Sequence, residues 1–157
     1  MRASACSAGG EAELALALAA VGKQLAQAHL GQFRASVEGT ARELHPIVRE
    51  DVLRIAREAL TNAFQHAKAE LVEVEVAYGE DELHMRVRDD GQGMNDDVLR
   101  TGRPGHWGLL GMRERAKKIR ANLTLWSKPG AGTEVDLRVP SRVAYRSLTS
   151  RRFWRGL

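Results

Sequence analysis

Between positions 83 and 89 apolar and charged residues alternate without a break, and this limits the possible folds more than any other stretch. Leu83, Met85 and Val87 fall on one face of a strand, and His84, Arg86 and Arg88 on the other, because side chains in an extended chain alternate with a period of two. Such a strand belongs to a sheet with one face in the core and one in water. The same phase carries Asp89 inward at the strand's end. A carboxylate taken out of water is costly unless donors meet it. Asp89 therefore either caps the turn at Gly91 or waits for a ligand donor such as an exocyclic amine.

The neighbouring segments supply the rest of that sheet and its cover. Residues 71–78 form a preceding strand, and Gly79-Glu80-Asp81-Glu82 turns the hairpin. A long helix is predicted over 46–69, opened by Pro46. Its stripe of Val52, Ile55, Ala56, Ala59, Ala63 and Ala67 recurs at spacings of three and four. The alanines permit close packing on a sheet. A further helix is expected over 11–30, stopped by Gly31, and a short strand through Phe33, Ala35 and Val37. After a polar, glycine-bearing stretch at 90–107 come a helix at 109–120 and two strands, 123–127 and 133–139, around Lys128-Pro129-Gly130-Ala131-Gly132. The pattern reads as α+β: a two-layer sandwich whose mixed, mostly antiparallel sheet is covered on one face by helices. Residues 1–10 are expected to be disordered, 11–140 to form the domain, and 141–157 a basic tail.

The 157 residues suit one domain. Cys6 stands alone and can make no internal disulfide, which fits a reducing compartment. The apolar run at 14–21 is far short of the ~20 residues that span a bilayer. No Lys/Arg cluster precedes it, so it does not read as a signal peptide. A cytoplasmic chain without membrane contact is expected. Five arginines at 142, 146, 151, 152 and 155 exceed the net charge of +4, so residues 1–140 carry −1. The folded part offers no basic stripe, and no nucleic-acid partner is expected.

Several residues could carry chemistry. Glu58, Asn62 and His66 are spaced by four and share one side of the long helix. An Asn and a Glu one turn apart can hold a hydrated magnesium ion through oxygen; a solvated helix flank is the plainer alternative. Gly91 and Gly93 let the backbone pass close to a flat ligand. Gly108 and Gly111 open the next helix, where free backbone N–H groups suit phosphate. Thr133 follows Gly130-Ala131-Gly132 into the last strand. The chain has no Gly-x-x-x-x-Gly-Lys-Ser/Thr segment, which excludes a P-loop NTPase at motif level.

These segments, in order and spacing, resemble the GHKL ATPases, and most closely the ATP-binding domain of sensor histidine kinases that pair with helix-turn-helix response regulators. Residues 57–67, Arg-Glu-Ala-Leu-Thr-Asn-Ala-Phe-Gln-His-Ala, resemble the N box. Asp89-Asp90-Gly91-Gln92-Gly93-Met94 resembles the G1 box, and Gly105 to Arg115 the G2 box. Gly130-Ala131-Gly132-Thr133 resembles the element before the final strand. The resemblance implies ATP and Mg²⁺ as ligands. Asn62 would bind the metal, Glu58 would act as polarising acid, and His66 would belong to the same box. Asp89 would accept from the adenine amine, near Gly91, Gly93 and Thr133. Met94 and Leu109 would close the adenine slot, residues 95–107 would form a lid, and Gly108, Leu109 and Gly111 would line the phosphate side. Two departures stand out. Gln65 replaces the Lys or Arg that many members carry before the N-box histidine, and His106-Trp107 replaces a G2 glycine.

The γ-phosphoryl acceptor in that family is a histidine on a dimerising helix pair. Ala41-Arg42-Glu43-Leu44-His45 is a superficial match only, because Pro46 follows where an acid is needed and Glu58 comes too soon. The histidine-bearing dimerisation domain is thus expected as a partner, with the response regulator, and the chain alone as a monomer. An anti-sigma-type serine kinase regulator could use the same pocket.

Overall fold

The computed structural model describes residues 13–101 and 108–146. Its strands are β1 (Gln32–Glu38), β2 (Leu71–Tyr78), β3 (Glu82–Asp89), β4 (Asn122–Lys128) and β5 (Gly132–Pro140). Its helices are α1 (Glu13–His29), α2 (Pro46–Thr61), α3 (Asp96–Thr101), α4 (Gly108–Lys118) and α5 (Ser141–Ala144). The strands form one sheet in the order β1-β2-β3-β5-β4. β1 and β2 pair in parallel with α2 as the crossover, and every other pairing is antiparallel.

Alternation places the core. Val72, Val74 and Val76, then Leu83, Met85 and Val87, then Val135, Leu137 and Val139 are all buried on one face. There α2, α1 and α4 pack over them. The α1 residues Leu14, Leu18, Gly22 and Ala26 are buried at intervals of four, the spacing of a single helix face. The other sheet face is a lattice of ion pairs, Arg86 with Glu75, Arg88 with Glu134 at 3.1 Å and Arg138 with Glu82 at 2.7 Å, joined by a His84–Asp136 hydrogen bond at 2.7 Å. Exposed pairs contribute about 0–1 kcal/mol each, so the buried face holds the sheet together.

Three expectations are corrected. The long helix stops short of residue 69. After Thr61 it widens into one π-turn, Asn62–His66, where the Ala67 N–H reaches the Asn62 carbonyl at 2.9 Å. Lys68 then takes a left-handed conformation, φ 51°, and ends it. No glycine or proline marks this stop, so periodicity alone runs past it. Next, the polar stretch after the G1 segment contains a helix, α3. Asn95 Oδ1 caps it by accepting the Val98 N–H at 2.9 Å. The remainder of the expected lid, 102–107, lies outside the described residues.

The third correction concerns the boundary at 140. Residues 141–146 dock on the domain: Val143, Ala144 and Tyr145 are buried, and the Tyr145 hydroxyl donates to the Gly79 carbonyl at 2.8 Å. The expectations for 1–10 and for the arginines beyond 146 lie outside the described residues. No helix among the described residues is long and apolar enough to cross a membrane.

His45 has a structural task. Its Nδ1 accepts the Ile47 N–H at 3.3 Å and caps α2. Burial, and then the charge of Arg146, hold its imidazole below the ordinary value. Both facts favour the neutral ring that an accepting nitrogen requires.

Candidate functional site

Asp89 ends β3 directly opposite Thr133 on β5. They are 8% and 9% exposed, on the face covered by helices. Asp89 Oδ1 accepts the Gly91 N–H at 2.8 Å, so the residue does cap its turn. That does not exhaust a carboxylate, which offers about four acceptor sites; the backbone N–H groups of Gly91 and Thr133 are its hydrogen-bond donors here. Burial raises the Asp89 carboxyl above its ordinary value, against the lowering by those two N–H groups, and Asp90 nearby adds to the rise. Asp90 itself turns away and accepts the Glu70 and Leu71 N–H groups at 2.9 and 3.0 Å.

The carboxylate opens on a narrow cavity between the sheet, α2 and α4. Three polar side chains, Asp89, Thr133 and Asn62, punctuate an apolar wall that includes Met94, Leu109 and Met112. A mostly apolar slot with a few convergent polar groups suits a flat ligand with one hydrogen-bonding edge. Asn62 is placed by the π-turn that it opens. Such turns recur at functional sites, and here the wider turn breaks the α-helical phase. His66 consequently lines neither this cavity nor the next one.

Glu58, one turn before Asn62, faces a second, wider cavity along the seam of α2 and α4. Gly108 and Gly111 form its α4 side. A Cβ on Gly108 would lie 2.0 Å from Glu58 Oε1, so a side chain there would push that carboxylate aside. Gly91 and Gly93 have a different reason for lacking side chains. A Cβ on Gly91 would stand 2.5 Å from the Ala67 carbonyl oxygen, and one on Gly93 2.1 Å from that of Lys128. Gly93 also has φ +72°. Their contacts are with backbone, which fixes the loop across the end of α2 and the β4–β5 turn.

Sequence reasoning missed Ser127. Buried on β4, its hydroxyl accepts the Met94 N–H at 2.7 Å and lies 2.9 Å from the Gly132 carbonyl and 2.7 Å from Thr133 Oγ1. It joins both loops to the polar end of the cavity. A lone serine closing a strand gives no signal of such a role. Asp51 was missed too. It is 2% exposed within α2, with Lys118 Nζ 3.0 Å from its Oδ2, near enough for charge pairing although not aligned as a hydrogen bond.

A family model for the histidine kinase-, DNA gyrase B- and HSP90-like ATPases matches residues 47–143. The chain belongs to this family. The match contains both cavities and runs past residue 140 into the docked C-terminal segment. Among curated proteins, the nitrate/nitrite sensor protein NarX of Escherichia coli is 37% identical over 84 residues, 54% of this chain and 14% of its own length. The signal transduction histidine-protein kinase/phosphatase DegS of Bacillus subtilis is 31% identical over 108 residues, 69% of this chain and 28% of its own. This chain thus spans under a third of the relatives it matches. Among solved structures, the histidine kinase domain of the Erythrobacter litoralis EL346 blue-light activated histidine kinase superposes with a TM-score of 0.68 at 22% identity, over 81% of this chain and 60% of that one. That likeness is one of fold, and it agrees with the helix-covered, mostly antiparallel sheet.

Proposed function

We propose that this chain binds ATP with magnesium in the Asp89 cavity and acts as the catalytic ATP-binding part of a sensor histidine kinase. Its γ-phosphoryl would pass to a histidine on a dimerisation domain, and from there signalling would continue through a response regulator in the cytoplasm. The observation that carries the ligand assignment is the buried Asp89–Thr133 pair in the wall of a mostly apolar slot. An ionised carboxylate there accepts from the exocyclic amine of adenine, a donor that guanine does not present at the same edge. Met94 and Leu109 would sandwich the ring. The names of the relatives favour a histidine as acceptor over the serine of an anti-sigma-type regulator.

The donor set fits magnesium. Among the described residues there is no cluster of three metal-ligating side chains, and Asn62 offers a single amide oxygen at the cavity wall. Magnesium commonly takes one or two protein oxygens and fills its octahedron with phosphate and water. Asn62 would hold it, and it would supply charge neutralisation between the phosphates. Glu58 would then orient the incoming imidazole, its carboxylate lying in the space that the absent side chain of Gly108 leaves.

Calorimetric titration of ATP-Mg, ADP-Mg and GTP-Mg into the unaltered chain and Asp89→Asn tests the reading. Adenine nucleotides should bind and GTP should not. The substitution should weaken binding by about 10- to 100-fold, the worth of a hydrogen bond to a charged group. Equal binding of GTP, or an Asp89→Asn variant that binds as before, would refute it.

A further inference from the structure

The two cavities divide their charges unevenly. Among the described residues, no cationic side chain lines the Asp89 cavity. The second cavity holds three, Arg54, Arg57 and Arg115, around the single carboxylate of Glu58. They meet along the seam of α2 and α4. Met112 lines both, and Ala59 and Leu109 of the first follow directly on Glu58 and Gly108 of the second. A ligand seated through an amine at Asp89 sends its charged end past Asn62 towards this seam. Among the described residues, the cations that line that seam are these arginines.

They are not equally available. Arg54 is held by Glu50, one turn away, at 2.6 Å. Arg115 leans over Gly111, with a long 3.4 Å contact to that carbonyl. No carboxylate among the described residues pairs with Arg57 or Arg115. The position before the N-box histidine, where the family resemblance places a cation, is exposed and uncharged Gln65. Glu58 alone would repel a polyphosphate, whereas three guanidinium groups around it leave the site net positive. A guanidinium fork matches phosphate oxygens in pairs.

We propose that Arg57 and Arg115 read the terminal phosphate, so that the pair makes this pocket prefer ATP to ADP. The assignment rests on the reading of the Asp89 cavity as an adenine nucleotide site. Both side chains reach water, so the effect is a modest one. Removal of either cation weakens ATP by about tenfold, in the range of an exposed charge-assisted hydrogen bond, and leaves ligands that end before the third phosphate unchanged.

The experiment is calorimetry with ATP-Mg, ADP-Mg and AMP on the unaltered chain, Arg57→Gln, Arg115→Gln and the double variant. Arg54→Gln serves as the charge control, and thermal melts confirm that each variant folds. The expected result is a collapsed ATP-to-ADP preference in the Arg57 and Arg115 variants, with ADP and AMP within about twofold. Arg54→Gln should keep the preference, and Arg57→Lys should recover part of it. An equal loss for ATP and ADP, or no loss for either, would overturn the assignment; the second result would turn these arginines towards an acidic group on a protein partner. If the unaltered chain binds no adenine nucleotide, the site and this assignment fall together. If it binds and only the preference is insensitive, the site stands and the arginines do not.

Discussion

Replacement of Ser127 by alanine removes one oxygen and disturbs three partners. The hydroxyl has a single proton. If it donates to the Gly132 carbonyl, 2.9 Å away, then Thr133 must donate to it across 2.7 Å. Its lone pairs also accept the Met94 N–H at 2.7 Å. In the variant the Met94 N–H loses its acceptor in a partly buried loop, and the Gly132 carbonyl loses a donor. An unsatisfied buried donor costs about 1–3 kcal/mol and an ordinary hydrogen bond contributes about 1 kcal/mol net. Part of this is recovered as Thr133 turns its hydroxyl elsewhere. The expected loss is about 2 kcal/mol.

Urea denaturation reads this directly. The midpoint should fall with the slope unchanged, because the area exposed on unfolding is the same. In a thermal melt the drop should be about 4–8 °C for a domain of this size. Thr124, exposed on the same strand, is the control, and its alanine variant should stay within about 0.5 kcal/mol. The hydroxyl also steadies Met94 and Thr133, which line the Asp89 cavity, so under the proposed function ATP affinity should fall with stability. A Ser127→Ala variant as stable as the Thr124 control would refute the claim that this hydroxyl ties the two loops together.

Two further outcomes follow from the buried carboxylates. Lys118→Gln leaves Asp51, 2% exposed, without its counter-charge. The expected cost is about 2 kcal/mol in urea denaturation, below the range for fully buried pairs because Lys118 is itself largely exposed. Asp51→Asn combined with Lys118→Gln should recover most of it, and a neutral single variant would count against the pairing. For Asp89, burial raises the carboxyl above its ordinary value near 3.8. The ligand-free protein therefore gains stability from this group as pH falls through the folded-state value, since the unfolded chain takes up its proton later. ATP needs the ionised acceptor, so its affinity should drop over the same interval, and Asp89→Asn should flatten both slopes. Calorimetry and melts across about pH 4 to 7 would show whether the two slopes oppose each other as this requires.

The period of two in β3 makes Asp89 legible from the sequence, because a strand with one wet face cannot slip by one residue without turning its whole apolar set outward. The same logic sets the order of elements and the layer that helices cover. The π-turn at Asn62 is not legible in this way. It arises from a hydrogen bond that slips by one residue among Phe64, Gln65 and His66, none of which breaks a helix. It alters which neighbours of Asn62 face the cavity. Ser127 and Met94 meet across 33 positions, and no local pattern announces such a partner. The Asn95-Asp96-Asp97 run, by contrast, carries a helix-start signal that the polar character of the stretch hides. Tyr145 lies among arginines, and its docking against Gly79 depends on the β2–β3 turn being close by.

The two buried carboxylates also separate structure from function. Asp51 has a counter-ion within 3.0 Å, so its burial is offset inside the fold. Asp89 has backbone donors but, among the described residues, no cation beside it, and its raised carboxyl records the imbalance. A residue chosen for stability alone at that position would be apolar, in phase with Leu83, Met85 and Val87. The domain keeps a carboxyl group there whose turn-capping hydrogen bond leaves its burial only partly offset. A ligand offsets such a cost, since one present at a hundred times its dissociation constant stabilises the bound state by about 2.7 kcal/mol. The slot beside Asp89 is accordingly the part of this fold that its own packing explains least, and under the proposed function an adenine amine would be the donor that completes it.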